Sequence, residues 1–191
     1  MPMLTVAQAQ TTFDNKNYDQ CAQDQRAITL AKLIINDEQQ QRTELICHPL
    51  LASIAAEKAK EMAIKGDVNH FGLGGANQRL REGGYQLPRY YPGVGSNQVE
   101  AVAGGYGDPA ELWIQFKKSK AHRSHLLGEH PFYREQYHIG IGVARREDSP
   151  HEYYWAVYIA KPKDKQQETL PDFLKKETVP IKSEGEVLGK Q

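Results

Sequence analysis

Only two cysteines occur in the 191 residues, Cys21 and Cys47, and neither sits in a Cys-x-x-Cys pair. That excludes a thiol redox motif and a cysteine zinc site. No apolar run approaches the roughly 18–20 residues that span a membrane. Neither sign of charge is in excess. Lys plus Arg number 24, Asp plus Glu number 24, and the pI is about 7.1. A nucleic-acid partner is therefore not expected, because such partners select a basic footprint. The signatures Gly-x-Ser-x-Gly, His-Glu-x-x-His, the phosphate-binding loop and Gly-x-Gly-x-x-Gly are all missing, and there is no internal repeat. What is present suits one domain with some spare length, since domains run ~100–200 residues. Hydrophobic residues make up 39%, enough for a packed core.

Residues 1–25 read as a polar arm. Within it LTVAQAQ (4–10) carries the small-x-small pattern Ala7-Gln8-Ala9 of a signal-peptidase site, without the long apolar segment that precedes one. It reads either as the remnant of a signal peptide or as an Ala/Gln-rich end. In an exported chain Cys21 and Cys47 would form one disulfide; in a cytosolic one they would be free thiols. From Asp24 apolar residues recur at three-to-four spacing, predicting a helix that runs to about Leu45. Pro49 opens a second helix, striped by Leu51, Ile54/Ala55, Ala59 and Met62/Ala63 and stopped by Gly66. A loop-rich stretch follows, with a short helix near Asn77–Glu82 and a short strand in VEAVAGG (99–105). DPAELWIQFKK (108–118) reads as a helix, with Asp108 as N-cap and Pro109 in first position. Residues 137–147 and 152–162 alternate and are rich in β-branched and aromatic residues, which predicts an antiparallel hairpin. Residues 26–162 thus form the domain. Residues 163–191 read as a charged C-terminal tail on the surface or without fixed structure; from 161 on, thirteen of 31 residues are Lys, Asp or Glu. The element order predicts a compact α+β layer structure.

Three places carry candidate chemistry. His70, in VNHFG (68–72), follows a helix stop and lies on a loop, where binding residues concentrate. Glu100 is the single charge in an apolar stretch, and a buried unpaired carboxylate is costly. In SKAHRSHLLG (119–128) Ser119 reads as an N-cap that accepts from the N–H of Ala121 or His122, and Gly128 as the helix stop. His122 then falls in the first turn, where the helix dipole disfavours imidazolium and leaves the neutral ring that a metal ligand or general base needs. Leu126, one turn on, directs His122 to the apolar side, and His125 reads as a bystander. The bland alternatives are a surface histidine, an edge carboxylate and two polar residues on a short helix. Zinc sites normally need three or four ligands.

The series LIINDEQQ (33–40), HPLLASIAAEKAKEMA (48–63), NHFG (69–72), QRLREGGY (78–85), VEAVAGG (99–105), FKKSKAHRSHLLG (116–128), IGIGVA (139–144) and YYWAVYIA (153–160) resembles the CAP superfamily (cysteine-rich secretory, antigen 5 and pathogenesis-related 1), also called SCP-like, in its shorter bacterial branch. The resemblance covers roughly residues 28–161. It implies a three-layer α-β-α sandwich with a small antiparallel sheet, and a secreted or periplasmic protein with a Cys21–Cys47 disulfide. It also implies a cleft lined by His70, Glu100, Ser119 and His122, in which His70, His122 and Glu100 hold a divalent cation, zinc first. The Trp-x-x-Ser-x-x-His-Arg pattern appears with Phe116 for its tryptophan and Trp113 one turn earlier. The Gly-Glu-Asn motif reads Val99-Glu100-Ala101, and a second cleft glutamate has no counterpart. On this resemblance the domain is a binding or interaction module for a cation or for a small-molecule, lipid or protein ligand, without established catalysis. The alternatives are a metal-assisted peptide or ester hydrolase with Glu100 as general base, and a structural envelope domain.

Overall fold

A computed structural model describes residues 17–164 and 187–189. The expected signal remnant at residues 4–10 lies outside the described residues. After a short turn of helix at Tyr18–Gln20 the elements run α1 (Gln25–Ile35), β1 (Ile46–Cys47), α2 (Pro49–Lys65), α3 (Ala76–Glu82), β2 (Glu100–Gly104), α4 (Pro109–Lys118), α5 (Lys120–Leu126), α6 (Pro131–Arg134), β3 (His138–Arg145), β4 (Tyr153–Ala160) and β5 (Val187–Gly189). The fold is α+β.

Local signals set most of the boundaries. Asp24 and Asp108 accept from the N–H two residues on, at 2.7 Å each, and start α1 and α4. Pro49 opens α2, and Gly66, in the left-handed region at φ 68°, closes it. α1 is shorter than its predicted reach to Leu45. The apolar stripe stops at Ile35, Asn36 turns back on the carbonyl of Lys32, and residues 36–45 form a loop. Proline at 49 marks where a helix must have ended, not where this one does.

The sheet order is β1-β3-β4-β2-β5. β3 with β4 and β4 with β2 are antiparallel, but β1 runs parallel to β3 and β5 parallel to β2. The small antiparallel sheet expected from the sequence is therefore a mixed one. Within the stretch read as a charged tail, residues 187–189 pair with the sheet edge beside Val102–Gly104. Three residues of strand inside a charged stretch give no periodicity to read.

β4 alternates between two cores. Trp155, Val157 and Ile159 join α1, α4 and α5 on one face, while Tyr154, Ala156, Tyr158 and Ala160 join α2 and α3 on the other. α2 lies directly against β3. A Cβ at Gly140 would fall on the backbone of Leu51 and Ala52, and one at Gly142 on that of Ala55. The two glycines of IGIGV thus let a helix backbone touch a strand. Gly142→Ala should lower stability by about 2–3 kcal/mol in urea denaturation. Gly93→Ala, where a new methyl meets nothing within 4 Å, should leave it unchanged. Equal effects would refute the close-approach account.

The disulfide Cys21–Cys47 is formed, tying the segment before α1 to the end of β1. Arg42 fastens α5 from beneath. Its guanidinium is buried, with no carboxylate partner among the described residues, and donates to the carbonyls of His125 (2.7 Å), Leu126 (2.9 Å) and Gln136 (2.6 Å). A cation at the carbonyl end of a helix meets the negative end of its dipole.

Candidate functional site

Glu100 is the first residue of β2, and its register partner is Tyr158 of β4. Its side chain is fully enclosed. A carboxylate in such a place must be neutralised by partners, and it is. Oε1 accepts from His70 Nδ1 at 2.8 Å, and Oε2 from Arg79 of α3 at 3.1 Å and from the Tyr158 hydroxyl. Burial first, and the Glu100 carboxylate second, push the Tyr158 phenol well above its ordinary pKa, so it stays a donor. Burial works against the charge of Arg79, but Tyr158 and Glu100 more than offset it and raise its pKa.

Each partner is held in turn. Asn97 donates to the Glu100 carbonyl (3.0 Å), accepts from the Glu100 N–H (2.9 Å) and lies 3.0 Å from His70 Nδ1. The loop carrying His70 is fixed by two buried cations. Arg79 donates to the carbonyls of Phe71 (2.7 Å) and Gly72 (3.0 Å), and Lys58 of α2 to the Phe71 carbonyl (2.7 Å) and to Asn69 (3.3 Å). Burial lowers the Lys58 pKa. A carboxylate only accepts, so the bond to Glu100 needs a proton on His70 Nδ1, and in the neutral ring that leaves the lone pair on Nε2. That atom is buried with no hydrogen-bond partner among the described residues.

The second half of the candidate site comes from α5. Ser119 caps the helix as expected: its Oγ accepts from the His122 N–H at 3.3 Å and lies 2.9 Å from His122 Nδ1. His122 is buried, with its ring 5.0 Å from that of Phe116, so the direction read from Leu126 holds. Phe116 is the surface His122 rests on.

His125, read as a bystander, is buried; its ring lies 5.0 Å from Tyr133, and its pKa falls to about 3. Burial is the main cause, followed by Arg42, with smaller contributions from His122 and His70. Glu100 and Tyr158 lie on the α2–α3 side of the sheet, and α5 packs from the other. Among the described residues no group of three or more His, Cys, Asp or Glu side chains is arranged to hold a metal ion. Both oxygens of Glu100 are taken, and ligation would strip it from Arg79 and Tyr158.

Arg79, Tyr158, Asn97 and Lys58 complete the site and were not foreseen. Lys58 alone left a trace. It stands four residues after Ile54 and four before Met62, on the apolar stripe of α2, where a solvated lysine does not belong.

Two small openings flank the His70 loop. One of about 190 Å³ is lined by His70, Phe71, Val94 and Asn97, and one of about 690 Å³ lies between α2 and α3. No helix among the described residues is long and apolar enough to cross a membrane. No family profile and no curated protein matches the chain. Among solved structures the chain is similar to an outer surface protein from Borrelia burgdorferi, with a TM-score of 0.54 and 17% sequence identity over 71% of this chain and 91% of that one, a likeness of fold alone.

Proposed function

We propose that this chain is an exported binding module of the CAP/SCP-like kind, a three-layer α-β-α sandwich that presents the His70 imidazole in a small cleft. One observation carries the reading: the buried, unpartnered Nε2 of His70, aimed by a carboxylate on its other nitrogen. A carboxylate on one ring nitrogen fixes the imidazole and strengthens the other nitrogen as a ligand. Such an atom takes an electron-pair acceptor, either a divalent cation or the N–H or O–H of a small polar ligand. A cation would be held by His70 and His122, with Glu100 orienting His70 instead of ligating and water completing the shell. Zinc there would supply only a charge for a ligand to meet. The disulfide supports export, since such bonds persist in oxidising compartments.

The hydrolase reading is weaker. A general base needs a carboxylate oxygen within reach of the water it activates. Both oxygens of Glu100 are occupied, one by His70 and the other by a guanidinium and a phenol.

Zinc titration by calorimetry should give saturable heat that His70→Ala and His122→Ala each weaken at least tenfold. Absence of heat in the wild type removes the cation and leaves the small ligand. The tautomer tests both at once: ¹⁵N shifts should show His70 protonated on Nδ1. A proton on Nε2 would sink the proposal, because no lone pair would face the cleft.

A further inference from the structure

The larger opening, about 690 Å³ between α2 and α3, is not lined by His70 or His122, though Lys58 and Arg79 border both it and the candidate site. Its volume is that of a small-molecule pocket. Leu50, Ile54 and Leu73 supply its apolar surface. Two glycines keep it open. A Cβ at Gly83 would come within 2.5 Å of Ile54 Cδ1, and one at Gly72, at φ 93°, would meet the Glu61 carboxylate.

The charges around it decide what it takes. Six ionisable side chains line it, three of each sign, but they are not equally available. Lys58 is spent on the Phe71 carbonyl and Asn69. Arg79 is spent on Glu100, Tyr158 and the carbonyls of Phe71 and Gly72. Lys65 binds Glu61 at 2.6 Å. An entering anion would meet cations already committed. Of the carboxylates, Glu61 holds Lys65 and lies 3.4 Å from Arg79 and 3.8 Å from Lys58. Glu57 and Glu82 are exposed, and neither has a cationic partner among the described residues; Glu82 accepts from the Gln78 side-chain amide at 3.1 Å. Two available negative charges thus line the opening together with its apolar surface.

We infer that this groove is a second binding site, for an organic ammonium ion with an apolar body, seated with the body on Leu50, Ile54 and Leu73 and the nitrogen between Glu57 and Glu82. A free alkylamine and the head of an amine-bearing lipid share this chemistry. The site is independent of His70 and His122.

The test uses amide chemical shifts of the full chain titrated with octyltrimethylammonium, octanoate and octanol, all below their aggregation thresholds. The ammonium should bind saturably, shift residues 50–57 and 72–83, and bind at least tenfold tighter than either of the others. Glu57→Gln with Glu82→Gln, both on the surface, should weaken it about fivefold; His122→Ala should not change it. Vesicles carrying choline headgroups separate the sources: binding to them at matched headgroup concentration assigns the lipid, and its absence with octyltrimethylammonium bound assigns the free amine. Binding of octanoate as tightly as the ammonium, no saturable binding, or no response to the double variant would each overturn the inference.

Discussion

Replacing Arg79 by methionine should remove about 3–5 kcal/mol of folding stability in urea denaturation, the range for breaking one half of a buried ion pair. The side chain sits where two tasks meet. Toward the sheet it neutralises the enclosed Glu100 and donates to Tyr158; toward the surface it holds the carbonyls of Phe71 and Gly72 and so the loop that carries His70. Methionine fills a similar volume but leaves a carboxylate in a dry place with only His70 and a phenol beside it. Most of the loss comes from that orphaned charge, so Arg79→Met combined with Glu100→Gln should be more stable than Arg79→Met alone. If the double variant is no better, the guanidinium works through packing or through the loop carbonyls, and the electrostatic account fails. The same variant reports on the site. Without Arg79 neither the Glu100 carboxylate nor the His70 loop is held in place, and zinc heat should fall at low temperature, where the variant is still folded.

The sequence foretold the chemistry-bearing residues better than their company. Ser119, Asp24, Asp108, Pro49 and Gly66 act within a turn of where they stand, and local rules found them. His70 and Glu100 announced themselves by contrast, a histidine after a helix stop and a charge in an apolar run. Their partners did not. Arg79 in QRLRE looks like any solvated helix charge, and Tyr158 in YYWAVYIA looks like core. Both become site residues only through the pairing of Glu100 with Tyr158 across β2 and β4, a register set by the whole sheet. The burial of His125 was illegible for the same reason. Nothing near it in sequence says that Ile159 and Arg42 will close over it. The direction of β1 and the existence of β5 are likewise facts about neighbours, carried by two and three residues.

That burial of histidine has a measurable consequence in acid. His125 falls to about 3 and His138 to about 4, both through burial first, with His48 beside His138 also lowered by burial. His48 and His138 lie with ring centroids 4.6 Å apart, and the Tyr85 hydroxyl, kept protonated by burial, lies 3.0 Å from His138 Nδ1. Protonating either ring sets a charge against its neighbour. In the unfolded chain these groups take up protons near pH 6.5. Their folded pKa values lie lower, so the unfolded state binds more protons as pH falls. The stability they contribute is complete above about pH 6.5 and is lost progressively below it, down through the folded values. Between pH 7.5 and pH 5 each fully shielded histidine should remove about 2 kcal/mol; His125, enclosed on all sides, should reach that figure, while His138, about half-buried, should contribute less because solvent screens it. Native carboxylates lowered in the fold, such as Asp37 and Glu61, act at more acid pH and leave this window to the imidazoles. Denaturation curves at pH 7.5, 6.5, 5.5 and 5.0 should therefore fall steadily, and His125→Asn should flatten the slope by about one proton even where it lowers stability at neutral pH. A wild-type curve level from pH 7.5 to pH 5 would mean that these rings open to water before they titrate, and that the floor beneath His122 is looser than its contacts imply.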